Sequence, residues 1–321
     1  MRDLPGKRPP PFDPLPRNIG SVVGSDSFGS NEQIWQLFVR VGLIPALPVC
    51  HVCHRVLPTE SARKKLHFSL FCSRCRVATN VLANTPLFEV KRIRKFLATL
   101  QGLCNGDKAC SIRASTRIAK TTWARYETIF ENVVFNTLKR ARMANELILG
   151  GPGVIVEVDE CHLHKRKFNR GQPLATGALW AVGLIERNTM GQRKSAFLLT
   201  RCRSADVLVP FIREHVAPGS ILISDEWKVY IRELEEDYQR LTINHSEQYG
   251  YTIMLNGQRV SVNTNHIERE WVEVRKLVKH IPEEKFNAKL EKEVFRLMYL
   301  NRCPYDERPF IFLEKMAQSM H

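Results

Sequence analysis

The sequence lacks the two apolar features that would direct a chain to a membrane. It has no uninterrupted apolar run of 18 residues, whereas a spanning helix needs about 20. Its start, MRDLP, lacks the apolar core of a signal peptide. We therefore expect an intracellular protein with no membrane partner, nuclear if the host is eukaryotic. In a reducing compartment its nine cysteines would serve as thiols or metal ligands rather than as disulfides.

Acidic residues are scarce relative to basic ones. The chain holds 33 Asp and Glu against 48 Lys and Arg, a net charge of +15 over 321 residues. This excess favours a polyanionic partner, nucleic acid before an anionic membrane surface. The first 30 residues are short of apolar side chains, since six prolines occur by position 16 and a Gly/Ser-rich run follows. We expect a disordered tail over 1–30.

Two Cys-x-x-Cys pairs follow, with 18 residues between them. Each pair can offer two thiolates to one ion, and the intervening loop can return the second pair to the first, so the pattern predicts a tetrahedral zinc site. Four ordinary buried cysteines are one alternative; a redox pair is another, although it would leave the second pair unexplained. The predicted ligands are Cys50, Cys53, Cys72 and Cys75, in a zinc ribbon over 31–80 that begins with a helix.

Apolar residues recur at helical spacing through 81–150, which predicts a helical region. Within it, 112–126 could form a helix-turn-helix with a turn near Lys120 and with Arg125 directed towards DNA. Any small helical bundle shows similar stripes, so an ordinary bundle is the alternative interpretation.

A sharp breaker, Gly-Gly-Pro-Gly at 150–153, precedes a change from helical to strand periodicity, and we place a domain boundary there. Three strands, a helix, a fourth strand, a helix, a fifth strand and a final helix are predicted over 151–303. This order is typical of an α/β domain with a ribonuclease H-like mixed sheet, in which the first and fourth strands are neighbours. We expect 304–321 to be a C-terminal tail.

The first predicted strand, 154–160, carries carboxylates where the strand ends. Alternation places Glu157 and Asp159 on one face, and a carboxylate on an apolar strand is costly to desolvate unless a cation or a donor meets it. Asp225 closes the fourth strand and Glu268 opens the final helix, although Asp225 alone would suit a turn. Hard cations prefer oxygen ligands, so the three acids predict a site for two Mg²⁺ or Mn²⁺ ions. Asp159 would bridge them, Asp225 and Glu268 would each hold one, and Glu157 would be a neighbouring acid.

Two glutamates compete for the third position. Glu268 and Glu270 differ by about 200° around a helix, whereas Arg275 returns to within about 20° of the Glu268 face. An arginine on that face suits metal ligation beside a substrate phosphate, which favours Glu268. The alternative is a capping box, Asn265-x-x-Glu268, in which the glutamate only satisfies a backbone N–H. His245 could contact a phosphate or be an ordinary core histidine.

Six motifs resemble, in order, the transposase domain of the Merlin superfamily and its ISXO2-like bacterial relatives, with eukaryotic Merlin the most similar. The resemblance covers about 154–303, and the cysteine-bearing and helical region before it resembles that family's N-terminal half. Two positions depart from the family pattern: Asn263 stands where His is usual, and Arg275 where Lys is common. The motifs are VEVDE at 156–160, KRKFNRG at 165–171, APGS at 217–220, SDEWK at 224–228, NHS at 244–246 and TNHIEREW at 264–271.

The resemblance implies a cut-and-paste DNA transposase with a DDE triad on Asp159, Asp225 and Glu268, and Trp271 would be a neighbour of that site. Its partners would be terminal inverted repeats and target DNA, bound by a homodimer or higher oligomer. Hydrolysis of a phosphodiester, then attack by the freed 3′ hydroxyl, needs charge neutralisation at the entering and leaving oxygens, which two Mg²⁺ about 3.5–4 Å apart supply. The expected DNA-contacting residues are Lys165, Arg166, Lys167, Arg170, Arg125 and Arg275.

Two other classes of function remain open. One is a transposase-derived DNA-binding protein that has no catalytic activity. The other is a ribonuclease H-like nuclease acting on junctions or hybrids.

Overall fold

The computed structural model describes residues 28–163, 179–187, 193–225, 233–244, 250–255, 257–278 and 290–319. These residues form two compact units, the first made of 28–126 with 305–319 and the second of 127–304. The boundary between the units falls within one long helix. No helix in the described part of the chain is long and apolar enough to cross a membrane.

The first unit begins with a helix and a small cysteine-bearing sheet. Helix α1 starts at a capping box, in which Ser30 and Gln33 each satisfy the other's backbone N–H. Its apolar face holds Ile34, Trp35 and Phe38, all buried. The elements are α1 (Asn31–Arg40), α2 (Glu60–Lys65) and the antiparallel strands β1 (Ser69–Cys72) and β2 (Val77–Asn80).

Helices make up the rest of the first unit. The connection between α4 and α5 is the three residues 117–119, close to the predicted turn, and Arg117 there has a left-handed backbone with φ of 49°. Phe96 and Tyr126 meet edge to face in the core of this unit. The elements are α3 (Ile93–Asn105), α4 (Ala109–Thr116), α5 (Lys120–Met143) and, from the end of the chain, a short 3₁₀ helix (Tyr305–Glu307) and α9 (Arg308–Gln318).

The second unit is built on a mixed five-stranded sheet. In order across the sheet its strands are β6, β5, β4, β8 and β9. The first three strands pair antiparallel, whereas β8 runs parallel to both β4 and β9. The strands are β4 (Ile155–His162), β5 (Trp180–Glu186), β6 (Ser195–Thr200), β8 (Ile221–Asp225) and β9 (Gln239–Ile243), with α6 (Ala205–His215) between β6 and β8.

Two small strand pairs and two helices complete this unit. The structure requires a glycine at position 150, within the Gly-Gly-Pro-Gly breaker. Gly150 has φ of +77°, and a Cβ there would lie 2.2 Å from Ser220 Oγ. The elements are the parallel pair β3 (Leu149–Gly150) and β7 (Val216–Ala217), the hairpin β10 (Tyr251–Leu255) and β11 (Gln258–Val262), α7 (Asn265–Val278) and α8 (Glu291–Arg302).

The structure agrees with the predicted mixed α/β sheet and corrects three boundaries. The expected tail at 304–321 is wrong, because Phe312, Leu313 and Met316 of α9 are fully buried. The expected disordered tail extends too far, because Phe28 is buried and Ser30 caps α1. The unit boundary lies at 126, within α5, rather than at the glycine breaker. The helix predicted between the fourth and fifth strands lies largely outside the described residues.

Candidate active site and candidate zinc site

Two of the predicted catalytic carboxylates lie on neighbouring parallel strands. Strands β4 and β8 pair in a register that ends with Val158 opposite Ser224, so Asp159 and Asp225 follow at the same level. Because side chains alternate along a strand, both acids share a face with Glu157. Asp159 and Asp225 are each partly exposed, whereas the preceding residues of β8 are buried. The sheet therefore delivers two partly hydrated carboxylates to the carboxyl ends of adjacent strands.

Glu157 connects this face to the start of α7. Its carboxylate is fully buried and accepts hydrogen bonds from the backbone N–H groups of His266 at 2.9 Å and Ile267 at 3.0 Å. The imidazole Nδ1 of His266 lies 2.7 Å from the same carboxylate. A carboxylate that bonds the first amides of a helix satisfies donors that have no partner within the helix and complements its dipole. Glu157 thus caps α7 from the sheet.

Arg187 forms an ion pair with the Glu157 carboxylate, at the oxygen that the backbone N–H groups of α7 do not bind. Its Nε lies 2.6 Å from Glu157 Oε1, and its Nη atoms donate to the backbone carbonyls of Ser261 and Asn263. The Asn263 side chain accepts from Arg187 at 3.0 Å and from the Asn265 backbone N–H at 3.3 Å. Asn263, one of the two residues that depart from the family pattern, therefore helps to form the turn from β11 into α7.

Asp159 accepts a hydrogen bond from α7 at a residue one turn beyond the backbone N–H groups that bind Glu157. The indole Nε1 of Trp271 donates to Asp159 Oδ2 over 2.8 Å. Gly183 stands opposite Asp159 on β5, and a Cβ there would lie 2.6 Å from both Trp271 Cη2 and Ile267 Cδ1. Phe197, next to Gly183 on β6, meets the Trp271 ring at 5.8 Å between centroids. A glycine in a strand often marks such a close approach.

The two candidate glutamates of α7 have different surroundings. Glu268 is exposed and accepts a hydrogen bond from Thr264 Oγ1 at 3.0 Å. Glu270 is only 1% exposed and bonds Arg193 Nη1 and Asn301 Nδ2, each at 2.9 Å. At about 100° per residue, Glu268 lies about 60° from Trp271 on one side and Glu270 about 100° away on the other. Glu268 therefore lies on the edge of α7 nearer to Trp271, the residue that bonds Asp159.

The three predicted catalytic carboxylates do not form a closely spaced set. Among the described residues, one group of three or more possible ligands has all its donor atoms within 4.8 Å of one another, and it consists of cysteines. A cleft of about 860 Å³ in the second unit is lined mainly by apolar side chains of α5, β6, α6 and α8. Asp159, Asp225 and Glu268 do not line it.

The four predicted zinc ligands do converge. Two of the sulfurs, those of Cys53 and Cys72, lie 3.7 Å apart. Each Cys-x-x-Cys turn ends in the same way: His54 and Arg76 adopt left-handed backbones, and their N–H groups donate to the carbonyls of Cys50 and Cys72. The two pairs thus form matching turns that present thiols to one point. The group consists of Cys50, Cys53, Cys72 and Cys75.

Hydrogen bonding within this cysteine group separates the pKa values of its thiols. Backbone donors at Cys53 and Val52 favour the thiolate and lower the pKa of Cys50 to about 6. The hydrogen bond between Cys75 and Cys53, together with burial, raises the pKa of Cys75 to about 12. Four converging cysteine sulfurs suit Zn²⁺, whose positive charge would offset the negative charge of the thiolates that bind it.

Of the remaining predicted site residues, Arg125 and Arg275 are described in the structure. Lys165, Arg166, Lys167, Arg170 and His245 lie outside the described residues. Arg125 is about half exposed, and its guanidinium lies 3.6 Å from a Glu89 carboxylate oxygen. Arg275 is exposed in the last turn of α7.

Sequence reasoning missed the roles of Arg187 and Gly183. Gly183 carried a signal, because a glycine inside an otherwise apolar strand indicates close packing. Arg187 carried none, since its partners lie 30 and 76 residues away along the chain.

Residues 148–293 match the family model of the ISXO2-like transposase domain. This segment contains β4, β8 and α7, with both aspartates and Glu268. This match confirms the resemblance of that segment to an ISXO2-like transposase domain, which was read from the motifs. Comparisons with curated proteins and with solved structures gave no match.

Proposed function

We propose that this chain is a DDE transposase that cuts DNA at transposon ends and joins the freed ends to a target. The observation that carries this proposal is the parallel pairing of β4 with β8, which supports Asp159 and Asp225 acting together. The third carboxylate in the proposal is Glu268. The hydrogen bond between Trp271 and Asp159 ties the helix of Glu268 to the same strand.

The proposed reaction has two phosphoryl transfers. In the first, water attacks a phosphodiester, and the P–O3′ bond breaks to leave a 3′ hydroxyl and a 5′ phosphate. In the second, that 3′ hydroxyl attacks a target phosphodiester and releases a target 3′ hydroxyl. Both steps follow the pattern of a ribonuclease H-like nucleotidyl transferase, which the strand order supports.

The donor chemistry of the site suits divalent cations. Asp159 and Asp225 are partly exposed and Glu268 is exposed, and all three offer carboxylate oxygens, which Mg²⁺ and Mn²⁺ prefer as ligands. When bound, two such cations neutralise charge on the entering and leaving oxygens. Glu268 can change rotamer without disturbing the core because it is exposed, whereas the buried Glu270 cannot. The chain's own contribution is to hold the two aspartates at one level and to anchor α7 beside them.

The proposal extends to the first unit and to the partners. One Zn²⁺ would be held by the four cysteines, with a structural role, because all four positions are protein thiols. DNA would be the partner, through terminal inverted repeats and target DNA, with two or more copies of the chain acting together. The turn between α4 and α5, with Arg125 in the first turns of α5, would contribute to DNA binding.

The test is removal of charge at either aspartate without change of shape. Asp159→Asn and Asp225→Asn are each expected to abolish Mg²⁺- or Mn²⁺-dependent cleavage and strand transfer, with DNA binding retained within a few fold. Cleavage would be followed on a labelled duplex that carries the element's end, and binding by gel shift. Asp237→Asn, an acid in an exposed pair with Arg213, is the matched control and should leave cleavage unchanged.

Two results would replace the proposal with one of its alternatives. A wild-type protein that binds its ends but cuts with neither metal would be a DNA-binding protein derived from a transposase. Cleavage of junctions or hybrids with no strand transfer would indicate a structure-specific nuclease.

A further inference from the structure

The indole of Trp271 has a single polar atom, and that atom bonds a proposed catalytic carboxylate. Trp271 is 3% exposed, and its Nε1 lies 2.8 Å from Asp159 Oδ2. A hydrogen bond to an ionised carboxylate is shorter and about twice as strong as one between neutral groups. Because indole is a donor only, Asp159 Oδ2 is the acceptor in this bond.

Packing of the Trp271 ring fixes the direction in which its N–H points. A Cβ at Gly183 would come within 2.6 Å of the ring, so the strand approaches the indole as closely as a glycine allows. Phe197 contacts the ring at an interplanar angle of 62°. A ring confined by these two neighbours cannot tilt freely, and its N–H therefore points at a fixed place on β4.

A second bond between the same two elements sets their register. Glu157 and Asp159 are two residues apart on β4, about 6.6 Å. Their partners on α7, Ile267 and Trp271, are four residues apart, about 6 Å along the helix. The two spacings match, so the capping bond at Glu157 and the indole bond at Asp159 can form together. The first sets where α7 lies along the strand, and the second acts on the carboxylate itself.

We propose that Trp271 is a positioning residue that sets the rotation of the Asp159 carboxylate about its Cβ–Cγ bond, and thereby the affinity of the site for divalent cations. The inference rests on the proposed function of Asp159. It goes beyond it by assigning a determinant of cation binding to a residue that is itself neither a ligand nor a base. Outer partners that orient a metal ligand typically change affinity by 10- to 100-fold when removed.

The test measures cation binding separately from activity. Mn²⁺ binding to the full-length protein is followed by the electron paramagnetic resonance signal of free Mn²⁺, and cleavage of a labelled DNA end is titrated with Mn²⁺. Trp271→Phe keeps an aromatic ring and removes the donor. We expect the Kd for Mn²⁺ and the half-saturating Mn²⁺ concentration in cleavage to rise together by about 10-fold.

Two further variants separate positioning from packing. Replacement of Trp271 by benzothienylalanine, in which sulfur takes the place of the N–H, keeps the indole shape and should give the same shift in Kd. Trp35→Phe is the matched control, since Trp35 is also 3% exposed but lies in the first unit against Phe68. It should lower the melting temperature without changing the Kd.

The outcomes distinguish this inference from the proposed function. Unchanged Mn²⁺ affinity in both Trp271 variants, with wild-type cleavage, would overturn the positioning role and leave the transposase proposal standing. A melting temperature that falls while the Kd stays constant would do the same, because it shows packing alone. Wild-type protein that neither binds Mn²⁺ nor cuts DNA would overturn the proposed function and this inference with it.

Discussion

A carboxylate with no exposed surface, such as that of Glu157, is tolerated only when donors or cations surround it. Here it meets one guanidinium, one imidazole nitrogen and two backbone N–H groups. This set compensates the charge within the protein and supports a structural role for Glu157, although Glu157 lies on the same face as Asp159. Two carboxylates of one strand thus differ in their surroundings, because Glu157 is buried among donors and Asp159 is partly exposed.

Glu268 and Glu270 of α7 also differ in burial, because Glu268 is exposed and Glu270 is buried. We predict that Glu268→Gln is folded but inactive, because the change removes an exposed charge and little packing. Glu270→Gln should remain active but lose about 1–3 kcal/mol of stability, since a buried group that bonds Arg193 and Asn301 would then be imperfectly paired. Cleavage assays and thermal unfolding of both variants check the pair.

The capping alternative for Glu268 gives a different result in the same experiment. The bond from Thr264 to Glu268 contributes to the start of α7, and loss of a cap typically costs about 0.5–2 kcal/mol. If Glu268→Gln only lowered the melting temperature and still cut DNA, the third carboxylate would have to be sought elsewhere. Activity lost in Glu270→Gln alone would likewise contradict the assignment.

At the scale of elements, strands β4 and β8 could be predicted because both are short apolar runs that end in an acid. Their pairing followed from the order of strands and helices. The hairpin β10–β11 was missed although its signal was present, since Asn256-Gly257 between alternating apolar residues favours a tight turn. Helix α9 was also missed, yet Pro309, Phe312, Leu313 and Met316 have the spacing of one helical face.

The contacts that organise the site could not be predicted from local pattern. The bond from Trp271 to Asp159 joins residues 112 positions apart, and the bond from Arg187 to Asn263 spans 76. Periodicity reports which face of an element is buried, but it does not report which element covers it. The candidate carboxylates could therefore be named from the sequence, whereas their supporting residues required the tertiary arrangement.

The cysteine group holds together the two turns before and after the strand β1. We predict one Zn²⁺ per chain, measured by elemental analysis, and its loss in Cys72→Ser because three thiols and a hydroxyl bind zinc poorly. Zinc should also dissociate as the pH falls, because protons compete for the thiolates. The first unit should unfold at a lower temperature without zinc.

A second buried cysteine provides the control for this prediction. Cys104 is fully buried but lies outside the cysteine group. Cys104→Ser should reduce stability through its polar hydroxyl and leave the zinc content at one per chain. Purified wild-type protein without zinc, or a Cys72→Ser variant that keeps it, would contradict the zinc-site hypothesis.

At the scale of the whole molecule, the net charge of +15 is the feature that concerns DNA most directly. Each phosphate neutralised by a basic side chain releases counterions, so the logarithm of affinity falls with the logarithm of salt concentration by about 0.9 per contact. With about six or more contacts, we predict a loss of affinity on the order of 10³-fold between 50 and 200 mM salt. Fluorescence anisotropy with a labelled duplex measures the slope.

Two variants that each lose four basic residues can show whether the position of the charge, and not only the net charge, affects DNA binding. Alanine at Lys165, Arg166, Lys167 and Arg170 should reduce the salt slope by about 3.6 if each contacts a phosphate. A control variant loses four charges that are already paired with acids in the structure, and its slope should change far less, because those cations are partly neutralised before DNA binds. Equal slopes in the two variants would mean that net charge alone governs binding and that 165–170 makes no particular contact. The paired residues for the control are Lys64, Arg142, Arg213 and Lys292.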